Sequence, residues 1–293
     1  MLSGRVVIVT GAGRGIGRAH ARALAAQGAY VVVNDLGVAA DGRTPSSSPA
    51  DEVVAEIRGA GGEAVTSYDD VVTGADGIVG TALDAYGRVD AVVNNAGILR
   101  SGLLLRTTPD DWRAVFEVHL VGTLAVTQAA AVYWRAEAKA GRMPDACVVN
   151  TTSSAGLVGF AGEPAYSAAK AGVIGFTTTA AAELERYGVR VNAVAPEAAT
   201  RLTAWAGEQP GMAPGLISPL VVWLCGPASA GVSGRVFEAG GGVVHVLESW
   251  RRAATIEHDE HTPPEVLGER VAAALATTTA PTPAIVPTSR ATA

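Results

Sequence analysis

The chain has 293 residues, of which 48% are hydrophobic and only 5% aromatic, with a net charge of −6. That length suits one large α/β domain or two small ones, and the acidic balance argues against general affinity for nucleic acid or anionic membranes. No apolar stretch reads as a membrane span and the N-terminus enters a strand directly, so a cytoplasmic protein is expected, with no membrane partner.

In chain order, Val6 to Val9 reads as a buried strand and is followed by Thr10-Gly11-Ala12-Gly13-Arg14-Gly15-Ile16-Gly17, which opens a helix carrying Ala19, Ala23, Leu24 and Ala25. Glycines between a strand and a helix let the backbone approach a pyrophosphate, whose charge then meets the helix N-terminus. Gly11, Arg14, Gly15, Ile16 and Gly17 are therefore candidate cofactor residues. The next strand, Ala29 to Asn34, ends at Asp35, eighteen residues after Gly17. An acid there accepts from the adenosine ribose hydroxyls and repels a 2′-phosphate, although a plain strand-end cap is the bland alternative. These features point to NAD. Arg14 works against that preference, since a basic residue in the turn attracts the phosphate.

Asp41 to Pro49 reads as a polar surface insert before a helix over Val53 to Ile57. Val31 to Val33 and Ala91 to Val93 are the short all-apolar runs of a central parallel sheet. Cys147 and Cys225 sit among apolar neighbours, which predicts two buried reduced thiols and neither a disulfide nor a metal pair. Strand and helix patterns alternate to about Gly242. The fold class is therefore α/β, a doubly wound parallel sheet (Rossmann-like) with a C-terminal extension: one domain over 1–250, a helical extension over 251–276 with its helix starting at Pro264, and a Thr/Ala/Pro-rich tail over 277–293.

Tyr166 and Lys170 fall one helical turn apart, and Ser153 lies thirteen residues upstream of Tyr166. Such a pair is often only a packing or solvated pair, and Ser153, beside Thr151, Thr152 and Ser154, is open to reading as a polar turn. The dinucleotide site upstream favours a chemical reading: a cation beside the phenol makes it titrate nearer neutrality, and a serine hydroxyl orients a substrate oxygen.

These stretches, with Asp70-Val71, Asn94-Asn95-Ala96-Gly97 and Asn192 to Pro196, resemble the short-chain dehydrogenase/reductase family over about 1–250. A narrower likeness, to the (3R)-hydroxyacyl-CoA dehydrogenase domain of multifunctional enzyme type 2 and its stand-alone bacterial relatives, rests on Val33 to Gly37, Asn94 to Arg100, Val118-His119-Leu120, Pro219 to Cys225 and Phe237 to Gly242. The resemblance implies Tyr166 as base, Ser153 as orienting hydroxyl, and Lys170 as the group that depresses the phenol and bonds the nicotinamide ribose. It adds Asp70, Val71, Asn95, Ala199 and Thr200 to the cofactor site. It also implies a homodimer or homotetramer, and an acyl-thioester or other small-molecule substrate. Steroids, cyclic ketones and acyl-carrier-protein thioesters are the alternative substrates, and a non-catalytic NAD-binding sensor or scaffold is the alternative from another class.

Two positions depart from the broad family. His119 stands where asparagine is usual and is a candidate catalytic residue through its carbonyl, its side chain or both; the narrower subgroup also carries histidine. Glu197 stands where glycine is common, so its side chain is expected to point away from the cofactor. Ala204 to Ser218, rich in glycine and proline, reads as a substrate lid.

Overall fold

The computed structural model describes residues 1–37, 48–199, 211–248 and 250–278. β1 (Val6–Thr10), α1 (Gly15–Ala26), β2 (Tyr30–Asn34), α2 (Pro49–Gly59), β3 (Glu63–Ser67), α3 (Ala75–Tyr86) and β4 (Ala91–Asn94) form the first half. α4 (Pro109–Phe116) and α5 (Gly122–Lys139) lead to β5 (Ala146–Thr151), α6 (Ser154–Val158), α7 (Pro164–Leu184), β6 (Val189–Glu197), α8 (Ser218–Cys225), β7 (Val236–Gly240), β8 (Val243–Leu247) and α9 (Pro264–Leu275).

The strand order is β3-β2-β1-β4-β5-β6-β7-β8. Neighbours are parallel throughout except β7 with β8. The order reverses between β1 and β4, and the crevice at the carboxyl ends of those strands is where such sheets bind ligands. Alternation along the strands divides the core. Val7, Val9, Val31 and Val33 pack with residues of α1, α2 and α8 on one face, while Val6, Ile8 and Val32 pack with α3, α5 and α7 on the other.

One polar ladder crosses this interior. Asn94 Nδ2 donates to Asn150 Oδ1 and Thr127 Oγ1, both at 2.9 Å, and Asn150 Nδ2 donates to Thr177 Oγ1 at 3.0 Å. It ties β4 and β5 to α5 and α7, and satisfies side chains that would be costly to bury unpaired.

The fold departs from the sequence expectation at four places. Pro49 does not close the insert but opens α2 at its first turn, where proline's missing N–H costs nothing; residues 38–47 of the insert lie outside the described residues. The glycine run does not end the sheet. Gly241 and Gly242, with φ of 56° and 82°, make a two-residue turn into the antiparallel strand β8. One apolar stretch does reach membrane length: Pro109–Lys139 contains an 18-residue window of mean hydropathy 1.5. It is a core helix by packing, since Val126, Ala130 and Trp134 are fully buried against the sheet. The lid is only partly described, because 200–210 lie outside; beyond them Pro214–Leu216 forms a short turn of 3-10 helix and Ser218 already belongs to α8.

Cys147 on β5 and Cys225 on α8 are both buried free thiols.

Candidate active site

α7 begins at Pro164, which pre-sets the helical φ, and its first two turns carry Tyr166 and Lys170 on one face. Lys170 Nζ lies 5.6 Å from the centre of the Tyr166 ring and donates to Thr151 C=O at 2.6 Å. The backbone of the same lysine is pinned by Thr152, whose hydroxyl donates to Lys170 C=O at 2.8 Å. Ser153 comes next, as the N-cap of α6, its Oγ accepting from Ala155 N–H at 3.2 Å. Three consecutive residues at the end of β5 thus set the lysine and bring a hydroxyl to the phenol.

The electrostatics differ from the sequence expectation. Burial pushes the Tyr166 phenol up to about 12; a hydrogen bond with Ser153 opposes this and the neighbouring Glu163 adds to it. Burial likewise pulls Lys170 down to about 7. Burial is thus the larger influence on the phenol here. Desolvation disfavours the charged form of each, and the ammonium donates to a carbonyl of β5.

His119 sits in a π-turn, Glu117–Val121, between α4 and α5. Such a turn inserts one extra residue into the helix and re-aims its side chains. The ring is 2% exposed and stands edge-on to Tyr166, with centroids 5.2 Å apart. Its Nε2 meets Ile98 C=O at 2.7 Å and Ile98 N–H at 3.2 Å, while Nδ1 is enclosed without a partner. Burial, with Lys170 nearby, pulls its pKa down to about 3, so the ring is neutral at ordinary pH. A Cβ on Gly97 would lie 2.5 Å from the ring carbon Cε1, so the glycine admits the histidine.

The glycine-rich turn is built around Asp35 and Asn95. Asp35 accepts from Gly13 N–H at 3.0 Å and Gly37 N–H at 2.8 Å. Asn95 Nδ2 donates to Thr10 C=O at 3.0 Å and Gly11 C=O at 3.1 Å. Thr10 Oγ1 in turn accepts from the N–H groups of Asn95 and Ala96. α1 starts at Gly15 with no capping side chain from Arg14 and no acid in its first turn, which leaves its N-terminal N–H groups to face an anion. This cradle fits a dinucleotide. Asp70 is turned to its own loop, accepting from Val72 N–H at 2.7 Å and Thr73 N–H at 3.0 Å, and Val71 packs under Gly122. Ala199 N–H donates to Met212 C=O at 2.8 Å. Thr200 lies outside the described residues. Glu197 lies against β7 beside Glu238, whose carboxyl burial raises, with Glu197 adding to the shift.

The model of the short chain dehydrogenase family matches residues 5–209. The chain belongs to that family. This short-chain dehydrogenase is 44% identical over 252 residues to the peroxisomal multifunctional enzyme type 2 of Mus musculus, covering 85% of the chain and 33% of that protein. It is 43% identical over 249 residues to the hydroxyacyl-CoA dehydrogenase ChsB1 of Mycobacterium tuberculosis, covering 80% of the chain and 77% of ChsB1. The crystal structure of a short chain dehydrogenase from Mycobacterium avium superposes with a TM-score of 0.88 at 47% identity, over 96% and 98% of the two chains. The chain thus spans about a third of the length of the murine multifunctional relative. It is an oxidoreductase of the nicotinamide-dependent kind.

Sequence reasoning passed over Thr151 and Thr152 as lysine anchors and Glu163, 4% exposed and three residues before Tyr166. Glu163 carried a readable signal, an acid just ahead of the helix-opening proline. The threonines carried none, since they act through backbone and depth.

Proposed function

We propose that this dehydrogenase interconverts a (3R)-hydroxyacyl thioester and its 3-keto form, using NAD in preference to NADP. The observation that carries the chemistry is the convergence of Ser153, Lys170 and His119 on the Tyr166 phenol. The relatives described as hydroxyacyl-CoA dehydrogenase and multifunctional enzyme type 2 support the substrate class.

When bound, the nicotinamide supplies the hydride acceptor. Gly11 to Gly17 and the N-terminus of α1 hold the pyrophosphate, Asp35 the adenosine ribose, and Asn95 keeps the turn in shape. Ser153 holds the substrate hydroxyl, and Tyr166, protonated at neutral pH, takes its proton while passing its own on toward neutral Lys170. With the phenol pushed up to about 12 and Lys170 pulled down to about 7, the pair sheds its first proton near 7. That proton belongs to the pair as a unit. Oxidation needs the pair one proton short, so its kcat/KM is expected to rise with pH through about 7, while ketone reduction falls over the same span. Rate profiles measured from about pH 5.5 to 9 check the sign; an oxidation profile that falls with pH would remove the pair from this role.

Asp35 bears on cofactor choice because both its oxygens are already fixed by backbone N–H groups, leaving a rigid carboxylate where a 2′-phosphate would sit. Wild-type kcat/KM is expected to favour NAD over NADP by about 100-fold or more, and Asp35→Ala to narrow the gap about tenfold. A wild-type preference for NADP refutes the assignment. We also assign a cytoplasmic homodimer or homotetramer; Val121, Leu124 and Val132, exposed by 41%, 44% and 65% along α5 and its entry, form an apolar stripe suited to a second copy.

The test of substrate class is NADH formation with 3R and 3S hydroxyacyl-CoA of several chain lengths beside steroid and cyclic alcohols. Oxidation of the 3R thioesters is expected. Inert thioesters with a good cyclic alcohol substrate would overturn the thioester reading and leave the dehydrogenase intact.

A further inference from the structure

Arg100 lies on a stretch held at two points. Ile98 is held to His119, whose Nε2 lies 2.7 Å from Ile98 C=O and donates to it with Nδ1 bare, and Gly102 N–H donates to Gly162 C=O at 2.8 Å, four residues before Tyr166. At about 3.3 Å per residue, the Arg100 backbone lies within about 7 Å of a residue clamped to the ring that faces Tyr166. The side chain does not stand out in water. Arg100 is half-buried, its Nε is enclosed without a hydrogen-bond partner, and its guanidinium makes no ion pair among the described residues. Arg5, Arg18, Arg88 and Arg190, by contrast, each hold a carboxylate.

A partly desolvated guanidinium with an empty donor is costly, and a ligand is one thing that would complete it. Its planar fork suits a carboxylate or a polarised carbonyl. In a 3-hydroxyacyl substrate the C1 carbon lies two bonds from the carbon that gives up hydride, so a side chain of the Ile98–Gly102 stretch that reaches the cleft beside Tyr166 would meet the C1 oxygen. We propose that Arg100 binds the C1 oxygen of the substrate and so selects 3-hydroxyacyl compounds over simple secondary alcohols. The inference rests on the substrate class proposed above. A thioester carbonyl and a free carboxylate offer the same chemistry at C1.

The experiment gives the full chain, with NAD, three substrates of matched length: a (3R)-hydroxyacyl-CoA, the same hydroxy acid as a free carboxylate, and a secondary alkanol lacking the C1 oxygen. Arg100→Met is expected to lower kcat/KM on the C1-bearing substrate about 10- to 100-fold and on the alkanol less than about twofold. Arg100→Lys is expected to recover part of the loss, and NADH affinity, read by fluorescence, to stay unchanged in both variants. Equal losses on all substrates, or no loss, overturn the role of Arg100. If the wild type turns over the free acid and ignores the thioester, the thioester reading fails, while a selective loss on the acid still upholds Arg100. If the wild type turns over the thioester and the loss in Arg100→Met is unselective, the thioester reading stands and the role of Arg100 falls.

Discussion

Tyr166→Phe is expected to bind NADH as wild type does and to turn over about 10²- to 10⁴-fold more slowly. The substitution keeps the ring that packs against Val115, Ala165 and Ala169 and stands edge-on to His119, so the wall of the cleft persists. It removes the oxygen beside Ser153 and with it the proposed stop for the substrate proton. Single-turnover NADH formation isolates the chemical step from product release. A Phe variant within a few-fold of wild type in that measurement would show that another group takes the proton, and neutral His119, with its bare Nδ1, would be the next to test.

Gly17→Ala is expected to abolish measurable NADH binding and to destabilise the protein by about 2 to 4 kcal/mol. A Cβ at this position would collide with Gly11 C=O and lie 2.5 Å from Asn95 Nδ2 and 2.9 Å from Ala12 Cα. Two of those three neighbours are backbone of the same turn, and the third is the amide that staples it to β4. None gives way without opening the cradle. Gly80→Ala on α3 is the control: nothing lies within 4 Å of its Cβ direction, so removing a helical glycine there is expected to leave stability unchanged or raise it by up to about 1 kcal/mol. Thermal unfolding with and without NADH checks both, and a Gly17→Ala protein with wild-type melting and NADH affinity would refute the cradle.

The parts of the site that were legible in the sequence are those encoded by short spacing. Thr10 to Gly17 between a strand and a helix, Asp35 at the end of the next strand, and Tyr166 four residues before Lys170 each follow from the period of a local element. The parts that were not legible depend on depth or on partners distant in sequence. The sign of the Tyr166 shift is set by how much protein surrounds the phenol, which no spacing reports. The π-turn at Glu117–Val121 leaves the helical period of α4 and α5 almost intact, so nothing in the letters marks the extra residue that seats His119. Arg100 reads as one more charged residue after Asn95-Ala96-Gly97. A buried Nε without a partner, together with no ion pair among the described residues, sets it apart; Arg5 shares the first feature but pairs with Asp145.

The polar ladder between β4 and β5 has a consequence for register. Parallel strands of almost uniform valine and alanine, such as Ala91-Val92-Val93 and Cys147-Val148-Val149, could slide by two residues, about 7 Å, and still bury an apolar face. Asn94 and Asn150 are paired partners in the sheet, and their side-chain bond exists in one alignment only. Asn95 and Thr151 follow them directly, so the same bond sets the height of the nucleotide-side staple against that of the carbonyl holding Lys170. The two halves of the crevice are levelled by a neutral amide pair beneath the chemistry, which carries no charge and takes no part in the reaction.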